Sequence, residues 1–190
     1  MPRPNWFFAF PVDGAFVEAL PPPPPAIRLF APADVHLTLS FLGACGQEAA
    51  ERALAALEEA LGRAAPRAID VSLSGVVPMG PKREYSALSA LLDQGREPCE
   101  QLIASLRDVV SEAALGRLEQ RPPKPHVTIA RPQRRASPAS RQAALIWAAK
   151  LDLSGVRAKL DRIALYTWSE GNRRDRLFRV ITERSLSTGG

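Results

Sequence analysis

Histidine and cysteine are scarce in this chain of 190 residues, at two copies each. Cys45 and Cys99 stand far apart and match no zinc or disulfide spacing, which argues against a stapled or zinc-held fold and for a reducing compartment. A ligand set of His36, His126, Cys45 and Cys99 would lack a short-range pair to anchor an ion, so no metal and no other cofactor is expected. No apolar run approaches membrane-spanning length. The aromatic run at residues 6–10 is too short for a signal-peptide core and lacks a small-residue cleavage site. A soluble cytoplasmic protein with no membrane partner is therefore expected. Also missing are a glycine-rich phosphate loop, a nucleophile elbow and a dinucleotide fingerprint.

What the chain does have is a repeated pattern. The segments VHLTLSF and PHVTIAR each carry a histidine two residues before a threonine: His36 with Thr38, and His126 with Thr128, ninety residues further on. In an extended strand alternate side chains share a face. Each segment then offers an imidazole and a hydroxyl together, with Leu37 and Leu39, or Val127 and Ile129, pointing the other way. A lone strand histidine is usually a hydrogen-bonded structural residue; two copies of one pattern reverse that expectation. The net charge of +5 favours an anionic partner.

The intervening chain reads as α+β. Strands are expected at residues 6–10, 27–30 and 35–41, the first two separated by a short helix capped by Asp13 and by the stiff proline run 21–25, a connecting loop. Residues 47–61 place Ala50, Ala53, Leu54, Leu57 and Leu61 on one helical face. Residues 69–74 alternate as a half-buried strand and can pair with residues 85–91 across the turn-rich VPMGPKR, which brings Lys82 and Arg83 to a strand end as candidate substrate contacts. A second helix spans about 97–115, a third starts at Ser137–Pro138, and further strands fall near 156–168, broken at Asp161, and 177–182. The order implies a duplication, with approximate repeats 5–92 and 97–184. A single bilobal domain over 1–190 is expected: two antiparallel sheets related by a pseudo-two-fold axis, helices outside, and the two His/Thr faces meeting across a cleft.

Paired imidazoles suit displacement at phosphorus, because one can take a proton while the other gives one. Threonine hydroxyls can donate to the non-bridging oxygens. Arg131, three residues beyond Thr128, falls formally on the opposite strand face. It is either a solvated strand terminus or, turned into the cleft just before Pro132, a bidentate phosphate ligand.

HLTLSFLG and PHVTIARP resemble the two signature motifs of the two-histidine phosphoesterase superfamily, and in particular its bacterial and archaeal RNA 2′,3′-cyclic phosphodiesterases, once called 2′-5′ RNA ligases. FFAFPVD near the start and IALYTWSE near the end are similar to the same branch. The resemblance implies that His36 and His126 are catalytic, with His126 as base and His36 as acid, and that Thr38, Thr128 and Arg131 hold phosphate. It implies a monomer that opens the terminal 2′,3′-cyclic phosphate of RNA to a 2′-phosphomonoester, with ligation through a 2′-5′ bond as the related reaction. The alternatives are a superfamily enzyme for another cyclic phosphate or a 2′-5′ linked oligonucleotide, and a non-catalytic RNA-end binder using Arg121, Lys124, Arg131, Arg134 and Arg135. Two departures bear on substrate contacts: the proline run lengthens the first loop, and Leu177 and Phe178 stand where a tyrosine is common.

Overall fold

A computed structural model describes residues 3–81, 84–170 and 176–187. Within them the chain forms β1 (Trp6–Pro11), β2 (Ile27–Leu29), β3 (His36–Gly43), α1 (Gln47–Ala64), β4 (Ile69–Met79), β5 (Ala87–Leu92), α2 (Arg96–Leu115), β6 (His126–Pro132), α3 (Pro138–Ala149), β7 (Arg157–Leu160), β8 (Arg162–Trp168) and β9 (Phe178–Ser185), with 3-10 turns at Ala15–Ala19 and Pro32–Asp34.

The strand order is β7-β4-β5-β6-β3-β1-β8-β9, with β2 also on β6, and all these pairings are antiparallel. A five-stranded half (β7, β4, β5, β6 and β2) and a four-stranded half (β3, β1, β8 and β9) meet where β3 touches β6, through the residue pair Leu37↔Val127. The fold is thus the expected antiparallel α+β arrangement, with the two expected sheets joined edge to edge into one nine-stranded sheet whose junction falls between the two motif strands. A lobe is not a half of the chain: β8 and β9 complete the sheet begun by β1 and β3, while β7 closes the one made by β4, β5 and β6.

The helices form for the reasons their sequences give. Buried Ala49, Ala50, Ala53, Leu57 and Ala60 make one stripe of α1, and Cys99, Ile103, Leu106, Val110 and Ala114 make one of α2. The two stripes bring α1 and α2 together, and α2 also rests on β3. Each buried leucine-sized side chain contributes roughly 1.5–3 kcal/mol. Gly116 ends α2 in the left-handed region, and the Ser137 hydroxyl caps α3 by accepting from the Ser140 amide at 3.1 Å. The Trp147 indole of α3 donates to the Pro21 carbonyl at 3.1 Å, which fastens one end of the proline run.

One element outran its expected length. β4 continues through Pro78 to Met79, where the sequence had indicated a turn. Its neighbour β7 pairs with Ile69 to Ser72, so among the described residues that edge of β4 has no partner strand beyond Ser72, and a proline there breaks no ladder on that side. Lys82 and Arg83 lie outside the described residues. No described helix is long and apolar enough to cross a membrane.

Candidate active site

Continuing the antiparallel register by one residue on either side of Leu37↔Val127 sets His36 opposite Thr128 and Thr38 opposite His126. The four side chains share one face of the junction while Leu37 and Val127, both fully buried, take the other. Directly opposed positions in such a pair have Cβ atoms about 5 Å apart. The two histidines are therefore diagonal neighbours, each beside the other motif's threonine.

Both motif strands then depart from regular alternation at the same place. β1 pairs Ala9 with Thr38 but Phe8 with Ser40, leaving Leu39 as an extra residue; β5 pairs Ser89 with Thr128 but Leu88 with Ala130, leaving Ile129 as one. Each is a β-bulge immediately after the threonine. A bulge resets which face later residues take, so Phe41 returns to the face of Thr38 and Arg131 to that of Thr128. Arg131 enters the cleft for this reason, not through fraying at the strand end. Its guanidinium lies over the Phe30 ring, 5.2 Å from the centroid.

The imidazoles are held alike. His36 Nδ1 lies 2.7 Å from the Asp34 carbonyl, and His126 Nδ1 lies 2.7 Å from the Lys124 carbonyl, in each case two residues back. A carbonyl can only accept, so Nδ1 carries the proton in both rings and Nε2 is left to exchange one. Their surroundings differ. His36 is buried among Phe7, Tyr166 and Phe178, with ring centroids 4.9, 5.5 and 5.5 Å away. Burial pulls its pKa down to about 4, and the charges of Arg131 and His126 add to the shift. His126 is half-buried, and its pKa is lowered by the same desolvation, with Lys124 and Arg131 contributing.

Two supporting residues were invisible in the sequence. Asp34, fully buried, orients His36 through its carbonyl, while its carboxylate accepts from the amides of Leu177 (2.8 Å) and Phe178 (3.1 Å). One residue thus fixes the imidazole and the aromatic wall beside it. The turn that carries Asp34 presses on Gly14, where a Cβ would lie 2.2 Å from the Pro32 carbonyl oxygen. Ser89, fully buried, meets the Thr128 hydroxyl at 3.1 Å. Neither has a local pattern, since the partners of Asp34 lie 143 and 144 residues away.

Two cavities flank the junction and share Thr38 and Phe41. The smaller, about 290 Å³, is walled by His36, Arg131, Phe7, Trp168 and Phe178. The larger, about 830 Å³, runs between α2 and the segment leading into β6 and includes His126 and Lys124. Among the described residues no three His, Cys, Asp or Glu side chains gather as metal ligands. Cys45 and Cys99 are free thiols, and burial within α2 pushes Cys99 up to about 12.

Residues 21–172 match the family model of the 2′-5′ RNA ligase superfamily. The fold is similar to that of E. coli LigT, at 21% identity over 99% of this chain and 100% of that one, with a TM-score of 0.67. A Thermus thermophilus protein, TT0787, is 21% identical over 98% of this chain and 100% of its own, with a TM-score of 0.69. Kluyveromyces marxianus Usb1 shares the fold at 12% identity and a TM-score of 0.54, over 96% of each chain. E. coli LigT has also been solved with 3′-AMP and with phosphate. Among curated proteins, none matches by sequence.

Proposed function

Because the chain belongs to the 2′-5′ RNA ligase superfamily, a family of phosphoesterases and ligases, we propose that its cleft opens the terminal 2′,3′-cyclic phosphate of RNA by acid–base catalysis between His36 and His126. The observation that carries this reading is the matched pair of Nδ1–carbonyl hydrogen bonds. They leave both Nε2 atoms free to exchange a proton at a junction where the continued register makes the two histidines diagonal neighbours, each beside a threonine. The mononucleotide and phosphate bound by LigT support a phosphorylated ligand for the same fold.

Water attacks phosphorus opposite O3′, the base takes its proton, the P–O3′ bond breaks, and the acid protonates O3′ to leave a 3′-hydroxyl and a 2′-phosphomonoester. Thr38, Thr128 and Arg131 bind the non-bridging oxygens. The resemblance assigned His126 as base and His36 as acid. The deeper burial of His36 favours the reverse, since a ring that stays neutral down to about pH 4 enters the reaction ready to accept a proton. His126, less enclosed, is the better placed to hold one. A 5′-hydroxyl in place of water would make a 2′-5′ bond at the same site.

The test offers RNA ending in a 2′,3′-cyclic phosphate, a cyclic mononucleotide and a 2′-5′ dinucleotide side by side, with excess chelator present. Opening of the RNA end to a 2′-phosphate at an undiminished rate is expected. Cleavage of the 2′-5′ dinucleotide alone, or binding without turnover, would reject the reading.

A further inference from the structure

The larger cavity does not end at the reacting group. From Thr38 and His126 it passes Phe41 and continues into a second hollow of about 300 Å³ bounded by Phe41, Leu115, Arg117, Leu118 and Arg121. Phe41 and Leu118 are large apolar side chains left 61% and 48% exposed on this path, in a protein that buries most others of their kind. The bulge at Leu39 is what turns Phe41 outward here.

Cations alternate with these apolar surfaces. Arg107 of α2 lines the cavity with a side chain only 13% exposed; its Nε makes no hydrogen bond but faces the Asp108 carboxylate at 4.0 Å, and its terminal nitrogen reaches the Glu119 carbonyl at 3.5 Å. Both contacts are long for a guanidinium, and an anion entering the cavity would supply the short charge-assisted bond they lack. Arg121 lies further out, clamped on Glu119 at 2.8 and 3.0 Å. That contact holds the Glu119 carboxyl down at about 2, so the acid is a charged partner of Arg121 at any working pH. Arg134 and Arg135, counted with this basic group in the sequence, follow β6 and do not line either hollow.

One exposed ring, Phe41, and one exposed aliphatic side chain, Leu118, set among cations along a groove suit a single strand of nucleic acid, with apolar surface for bases to stack on or pack against and charges for the phosphates between them. We propose that this groove is a track for single-stranded RNA, holding the nucleotides that precede the cyclic phosphate. Phe41 and Leu118 meet bases, and Arg107 and Arg121 meet backbone phosphates. The proposal rests on the RNA-end reading above and gives it a direction. The ribose that carries the departing O3′ lies on the His126 side, and the small aromatic cavity beside His36 is left to the incoming nucleophile.

The experiment compares the wild type with Leu118→Glu/Arg121→Glu, both sites being exposed enough to leave folding intact. One arm measures KM for a tetranucleotide ending in a 2′,3′-cyclic phosphate and for a 2′,3′-cyclic mononucleotide. The other measures, by anisotropy, binding of a labelled single-stranded RNA ending in a 2′-phosphate, which needs no turnover. The variant should raise the tetranucleotide KM and the RNA Kd by about tenfold, with the cyclic mononucleotide changed less than about twofold. Glu119→Gln, which frees Arg121, should shift the RNA Kd the other way. Equal effects on both substrates, or unchanged RNA binding, would overturn the track. A wild type that opens neither substrate yet loses RNA binding in the variant would reject the reaction and keep the track.

Discussion

At the scale of the residue, the environment of His36 decides the protonation pattern. Three aromatic rings strip it of water, and its Nδ1 hydrogen bond to the Asp34 carbonyl fixes the tautomer without supplying a negative charge, so the imidazolium is disfavoured. His126 is shifted in the same direction from a less enclosed position. On the proposed mechanism the productive form of the free protein has His36 neutral and His126 charged. Activity as kcat/KM should rise as His36 loses its proton near pH 4 and fall as His126 loses its own below the ordinary histidine value of 6.5. The optimum therefore lies on the acid side of neutrality. A bound phosphate anion favours both imidazolium forms, so the profile of kcat should be displaced to higher pH. Parallel pH profiles of the two constants check this, and a kcat/KM optimum above pH 7 would contradict it. Both histidines were legible in the sequence because the chain has no others. Asp34 and Ser89 were not, because what they hold is brought to them only by folding.

At the scale of the element, the two bulges carry the site. Strict alternation from His126 sends Arg131 to the buried face with Val127 and Ile129. The extra residue at Ile129 sends it to the cleft face with Thr128 instead. Sequence alternation fails at just this point because nothing in VTIAR marks a bulge; only the partner strand's register does. The same slip on β3 moves Phe41, which sequence reading left unassigned. If Arg131 grips phosphate with its planar fork, Arg131→Ala should lower kcat/KM by roughly 10²- to 10³-fold. Arg131→Lys should recover part of that and not all, because the charge returns without the paired donors. Steady-state rates on the RNA substrate measure it, and full recovery with lysine would reduce the residue to a point charge. Apart from β4, which runs on into the expected turn, the other elements were readable, down to the break at Asp161 between β7 and β8, because alternation and helix stripes report burial directly.

At the scale of the molecule, the site lies where the two halves of the sheet join, at the ladder pair Leu37↔Val127 between β3 and β6. The sequence showed that two motif strands exist and face alike; it did not show that β8 crosses back to pair with β1, since that pairing joins residues about 160 apart and follows from shape, not from local pattern. This exchange ties each lobe to both halves of the chain, and the junction between His36 and His126 is braced from both sides. Hydrolysis and ligation would then share one pair of proton carriers. The direct test of that pair is an RNA whose bridging O3′ is replaced by sulfur, a leaving group that departs without a proton. On the oxygen substrate His36→Ala and His126→Ala should each slow the reaction by roughly 10²- to 10⁴-fold. On the sulfur substrate His126→Ala should recover most of its rate while His36→Ala remains slow. Recovery in His36→Ala alone would exchange the roles, and recovery in neither would contradict acid–base catalysis by the two histidines.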